Sequence, residues 1–187
     1  MHVALAVVPL VGWLVSFDLA IALAAGLVAA SLAVEVARRW WPWVNRLLWR
    51  FLPTVFRAGE GRAVLGSTWY ALGAVAALLL FGRDAGGTAV LCLAWGDPAA
   101  EVVGRRWGRV DRTKTIAGTL ACLVACLFAG AVGVVLGGLA PSAALAGALV
   151  ATFVERWSPP PDDNFWIPIL SGGAMAVVET LAHLEGI

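Results

Sequence analysis

Charged residues divide this chain into long apolar runs. Nothing is charged between Arg62 and Arg83, between Lys114 and Glu155, or from Phe165 to Val178. Residues 86–103 are apolar except for Asp97 and Glu101. The stretch 3–37 is long enough for two passes, with "SFD" at 16–18 as the turn. A helix that crosses the hydrocarbon core of a bilayer needs about 20 mostly apolar residues. The run from 115 to 154 therefore holds two, and "GGLAPS" at 137–142 divides it. The pattern predicts seven spans, at about 3–16, 18–37, 63–82, 86–104, 116–137, 140–156 and 165–183. The first is short, and is expected to be tilted, re-entrant or partly interfacial.

Composition agrees with this pattern. Of the 187 residues 61% are hydrophobic and 13% charged, and the mean hydropathy is +0.87. Soluble domains carry roughly 25% charged residues. The expected class is an all-α, polytopic, integral membrane helical bundle forming one domain over 1–187. The N-terminus lacks the positively charged region of a signal peptide, and is read as a mature anchor.

The net charge of +1 says little, but its distribution orients the chain. Basic residues mark cytoplasmic loops. Arg38, Arg39, Arg46, Arg50, Arg57 and Arg62 share one loop, and Arg105, Arg106, Arg109, Arg112 and Lys114 share a second. Arg156 opens a third. Seven spans place all three loops on one face, with only Arg83 opposite. The N-terminus is then cytoplasmic. The stretch 38–62 interleaves Trp40, Trp41, Trp43 and Trp49 with arginines and aliphatics. It should lie flat in the headgroup region, as an anchor or as a platform for a lipid substrate.

Acids inside apolar segments are costly, and point to function by default. Asp97 and Glu101 are one helical turn apart on one face. Such a pair can share a divalent cation such as magnesium, which prefers oxygen ligands and keeps waters and substrate phosphates. The bland alternative is helix capping by Asp97 and a salt bridge from Glu101 to an arginine. Pro98 follows Asp97, and a proline in a helix interior removes a hydrogen bond. A break at Gly96-Asp97-Pro98 is therefore expected. Gly104 and Gly108 serve either close approach of backbone to phosphates or helix packing. No Walker A loop and no GxGxxG is present. The third loop, "ERWSPPPDDNFWIP", holds Glu155, Asp162, Asp163 and Asn164. Asp162 to Asn164 either cap the last helix or add metal contacts and orient an attacking hydroxyl. Cys92, Cys122 and Cys126 lie inside spans without a histidine partner, and are read as packing residues.

These motifs, in this order, resemble the CTP-dependent lipid-alcohol kinases, a family that includes dolichol kinase, phytol kinase and yeast-type diacylglycerol kinase. "DPAAEVVGRRWG" (97–108) resembles the family's Asp-x-x-Ala-x-x-x-Gly-Arg-x-x-Gly. "KTIAGT" (114–119) is similar to its Lys-[Ser/Thr]-x-x-Gly, and "DDNFWIP" (162–168) to its Asp-Asp-Asn-x-x-x-Pro. Glu35, Arg39, Asn45, Arg57 and Glu60 match upstream positions, and with Glu155 are expected to contact the lipid or support the site. Ala117 stands where dolichol-type members often carry glutamate, so the phytol or diacylglycerol pattern is nearer.

The resemblance implies transfer of the γ-phosphoryl group of CTP to the hydroxyl of a lipid alcohol, either an isoprenoid alcohol or diacylglycerol. It implies magnesium on Asp97, with Glu101, Asp163 and Asn164 as further candidates. Lys114, Arg105, Arg106 and Arg109 would take phosphate charge, together with Thr115. Gly104, Gly108 and Gly118 would allow close approach. Asp162 or Asp163 would act on the hydroxyl. The site would face the cytoplasm, the partners being lipid, nucleotide and bilayer, with no nucleic acid. Monomer and homo-oligomer stay open. Two other classes remain: a phosphatidate cytidylyltransferase-like enzyme, against which stands the lack of a late Asp-Arg-x-Asp, and a non-enzymatic transport or lipid-binding protein.

Overall fold

A computed structural model describes residues 5–51, 63–107, 114–157 and 159–185. Every regular element among them is helical. In chain order these are α1 (Val7–Leu14), α2 (Phe17–Trp40), α3 (Pro42–Phe51), α4 (Gly66–Phe81), α5 (Gly87–Trp107), α6 (Ile116–Val132), α7 (Pro141–Trp157) and α8 (Asp163–Glu185). Single π-helical turns at Gly82–Gly86 and Gly133–Gly137 join α4 to α5 and extend α6. Four stretches are long and apolar enough to cross a membrane: Phe17–Trp40, Gly66–Trp107, Ile116–Gly137 and Asp163–Leu184. The 42 residues of the second stretch are two helices in succession.

Local chemistry sets the boundaries. Ser16 caps α2 by accepting from the Leu19 amide at 3.4 Å, and Arg38 and Arg39 occupy the last turn. Anionic or hydroxyl groups at the start and cations at the end both suit the helix dipole. Gly82 adopts φ 74°, a backbone region open to glycine. The following π turn brings Gly86 back against the Ala77 carbonyl of α4, so the chain reverses there. Pro141 begins α7, where a missing amide costs nothing. The amide of Ala140 just before it donates to Glu179 Oε2 of α8 at 2.9 Å.

The core is built around α5. Val90, Leu91, Cys92, Leu93 and Ala94 have no exposed surface, and α6, α7 and α8 pack around them. The outward positions are apolar as well: Leu79, Leu80, Val124, Phe128, Leu149, Phe153 and Val177 are all exposed. In water so much exposed apolar surface would be a liability; against lipid it is the expected exterior.

The described part of the stretch 3–16 forms the eight-residue α1, about 12 Å at 1.5 Å per residue, against a hydrocarbon core of about 30 Å; the first segment is as short as expected. It packs against α2 and α5. One expectation needs correction: Gly96-Asp97-Pro98 does not break its helix. α5 runs without interruption from Gly87 to Trp107 with Pro98 inside it. Pro98 does forgo one backbone bond, but the preceding turns are enclosed by three helices, and this packing outweighs the local preference.

Candidate active site

Three elements meet at Lys114, just before α6. Its Nζ lies 2.8 Å from Glu155 Oε1 at the end of α7 and 2.8 Å from Asp163 Oδ2 at the start of α8. Nζ also donates to the Glu155 carbonyl, and the Arg156 guanidinium donates to the Lys114 carbonyl. The two carboxylates are 5% and 8% exposed, and the lysine 31%. Burial by itself would disfavour the ammonium, yet Asp163 and then Glu155 outweigh it and hold Lys114 above the ordinary lysine value of 10.5. Residues 41 and 49 positions apart in the sequence thus converge.

The head of α8 is organised by Asp162. Its Oδ1 accepts from the Asn164 amide at 3.0 Å and from Asn164 Nδ2 at 2.7 Å. This is the geometry of an N-cap, so the capping alternative holds for Asp162. Asn164 is buried, and its Oδ1 accepts no hydrogen bond among the described residues. Gly73 of α4 lets the two helices touch: a Cβ there would fall 2.8 Å from the Asn164 carbonyl oxygen and 2.9 Å from that of Phe165. Trp69 packs edge-on against Phe165 at 5.9 Å between ring centroids. On the same turn of α4 lies the buried Tyr70. One turn of α4 therefore packs against the head of α8.

Other residues singled out in the sequence fall elsewhere. Glu101 is exposed and pairs with Arg105, the salt-bridge alternative, rather than turning inward with Asp97. Arg105 and Arg106 are exposed, with the Arg106 guanidinium 5.7 Å from the Trp107 ring centroid. Thr115 caps α6, its Oγ1 accepting from the Gly118 amide at 3.0 Å. Gly118 sits where a Cβ would be 2.8 Å from the Ala100 carbonyl oxygen and 3.4 Å from Gly104 Cα. Both glycines thus serve the α5–α6 crossing. Glu35 is buried, bonded to Arg38, and accepts from the Leu65 amide at 2.7 Å. Arg38 also reaches the Ala63 carbonyl, so the pair fastens α2 to the start of α4. Arg39 is exposed, 3.7 Å from Glu35. Asn45 lies on α3, and its buried Oδ1 has no hydrogen-bond partner among the described residues. Gly108, Arg109, Arg57 and Glu60 lie outside the described residues.

Sequence reasoning missed Arg38, Tyr70 and Arg156 as members of these networks. Arg38 is three residues from Glu35, a spacing that pairs side chains on a helix, and Tyr70 is the only tyrosine in the chain. For magnesium the candidate donors are right in kind, being hard oxygens. Asp97 is buried on α5, and the Asn164 Oδ1 is buried without a hydrogen bond among the described residues. No group of three or more His, Cys, Asp or Glu side chains converges among the described residues, so a cation here would have to draw most of its ligands from water and substrate phosphates.

About half of the chain is similar to known proteins. The chain is 35% identical over 97 residues to CTP-dependent diacylglycerol kinase 1 of Eremothecium gossypii. The values are 32% over 92 residues for the protein of that name in Saccharomyces cerevisiae and 33% over 98 residues for that of Schizosaccharomyces pombe. These alignments cover 50%, 47% and 50% of this chain, but 31%, 32% and 45% of the relatives. The chain thus spans less than half the length of the curated relatives it matches. No family model matches it, and no solved structure does.

Proposed function

We propose that this chain is a membrane lipid kinase that moves the γ-phosphoryl group of CTP to a lipid hydroxyl, with diacylglycerol as the favoured acceptor. The observation that carries the reading is Lys114, held between buried Glu155 and Asp163 where α7 ends and α8 begins. Similarity to enzymes named CTP-dependent diacylglycerol kinase supports donor and acceptor.

Phosphoryl transfer is chiefly positioning and charge neutralisation. Lys114 takes the phosphate charge, helped by the exposed Arg105. Asp97 and Asn164 would hold magnesium, which would supply neutralisation of phosphate charge. Asp162 is engaged in capping α8, which leaves Asp163 as the general base for the lipid hydroxyl. Asp163 accepts the hydroxyl proton as the oxygen attacks the γ-phosphorus, and CDP leaves. Seven helices cross or enter the bilayer, and the site faces the cytoplasm. The lipid enters laterally, its headgroup guided by α3, on which Trp43, Arg46, Leu47, Arg50 and Phe51 are exposed.

The test is transfer of label from γ-labelled CTP, ATP and UTP, each with magnesium and a panel of lipid alcohols, by the protein in nanodiscs. Labelled phosphatidate formed best with CTP, and falling at least about 100-fold in Asp97→Asn, is expected. No labelled lipid with any pair would defeat the proposal. Pyrophosphate release with phosphatidate would instead indicate a cytidylyltransferase.

A further inference from the structure

Lys114 is the only lysine among the thirteen Lys and Arg residues of the chain. It stands outside regular structure, one residue before the Thr115 cap of α6. Nothing local fixes a long, flexible side chain at such a place. What does fix it is the last turn of α7. Glu155 meets the ammonium with both its carboxylate and its carbonyl, and Arg156 holds the Lys114 carbonyl. Two successive residues of α7 thus grip residue 114 by both main chain and side chain. Asp163 is engaged by the same ammonium, but it comes from α8 and meets it with its carboxylate.

We infer that Glu155 is a positioning residue that fixes where Lys114 presents its charge to the nucleotide phosphates, with Arg156 as its main-chain counterpart; this rests on the kinase reading above. Lys114 has a hydrogen-bond reach of about 3 Å, and misplacement by about 1 Å can cost a hundredfold in rate. Glu155 therefore acts on the nucleotide side of the reaction through Lys114.

The experiment compares wild type, Glu155→Ala, Glu155→Gln and Arg156→Ala in nanodiscs. Two readouts are taken: kinetics against CTP and against diacylglycerol, and protection of Lys114 from an amine-specific reagent by magnesium and CTP. With one lysine in the chain, the modified peptide is unambiguous. The expected result is a loss of about 100-fold in kcat/KM for CTP in Glu155→Ala, with the KM for lipid unchanged. Glu155→Gln keeps an acceptor oxygen at the same reach, and should lose about tenfold or less. Protection of Lys114 should weaken in the same order. Arg156 is exposed, so its alanine variant reports on the grip even if Glu155→Ala does not fold; its KM for CTP should rise several-fold. Folded variants with wild-type CTP kinetics and wild-type protection would overturn the inference, as would a rise confined to the KM for lipid. If wild type transfers no phosphate, protection by CTP that is present in wild type and lost in the variants rejects the kinase reading and keeps the positioning role. Absence of protection in wild type overturns both.

Discussion

Lys114 is a lysine in a chain that otherwise uses arginine for positive charge. A guanidinium is a planar fork, whereas an ammonium is a compact point charge that fits between two carboxylates 2.8 Å away on either side. Its pKa has a stability consequence. Because the folded value is raised, the charged triplet contributes fully below the ordinary lysine value and is lost as pH rises through the folded one. The stability gap between wild type and Lys114→Met should therefore stay constant up to about pH 10 and shrink above it, as thermal melts across an alkaline series would report. A gap independent of pH up to 12 would contradict the shift. Asp97 stood out in the sequence because a charge inside an apolar segment needs a reason, whereas Lys114 and Asp163 were singled out by motif resemblance and their meeting by neither. Tyr70 and Arg38 were not legible there, since their importance lies in which neighbour they meet, and that is set by packing between helices.

Helix ends separate roles that the sequence left joined. Adjacent Asp162 and Asp163 are indistinguishable as a pair of letters. At the start of α8 one turns back onto the Asn164 amide and the other reaches Lys114. Asp162→Ala should cost about 1 kcal/mol, as lost caps do, and should leave substantial transfer activity. Asp163→Asn should abolish transfer while folding is retained. Equal loss of activity in both, with equal stability, would refute this division. Pro98 shows the opposite failure of local reasoning. Its dipeptide with Asp97 is a fair helix start, but a helix enclosed along its preceding turns has no room to restart. Propensity is legible locally, whereas enclosure is a property of the assembled bundle.

Across the whole molecule, segment boundaries were the most legible feature. Predicted spans at 18–37, 63–82, 86–104, 116–137, 140–156 and 165–183 each correspond to an observed helix within a few residues. Charge-free runs reveal them because a bilayer tolerates few exposed charges. How the helices touch was hidden, because contacts between small residues such as Gly73 against the α8 backbone leave no directional pattern in a sequence. The same physics gives the Gly82 reversal a meaning for biogenesis. α4 and α5 form a hairpin whose turn lies at the end of the bundle away from Lys114, and that turn carries Arg83 bonded to Asp84 at 2.9 Å. On the proposed orientation, with the site on the cytoplasmic side, this turn must traverse the bilayer during insertion. An arginine at the centre of a membrane helix costs about 2.5–3.5 kcal/mol, and an adjacent carboxylate lowers the cost of its charge. Asp84→Asn should therefore lower the fraction of chains that insert with the turn outside, as glycosylation mapping of that turn would register. The charges that the hairpin turn carries are then an adjacent pair of opposite sign.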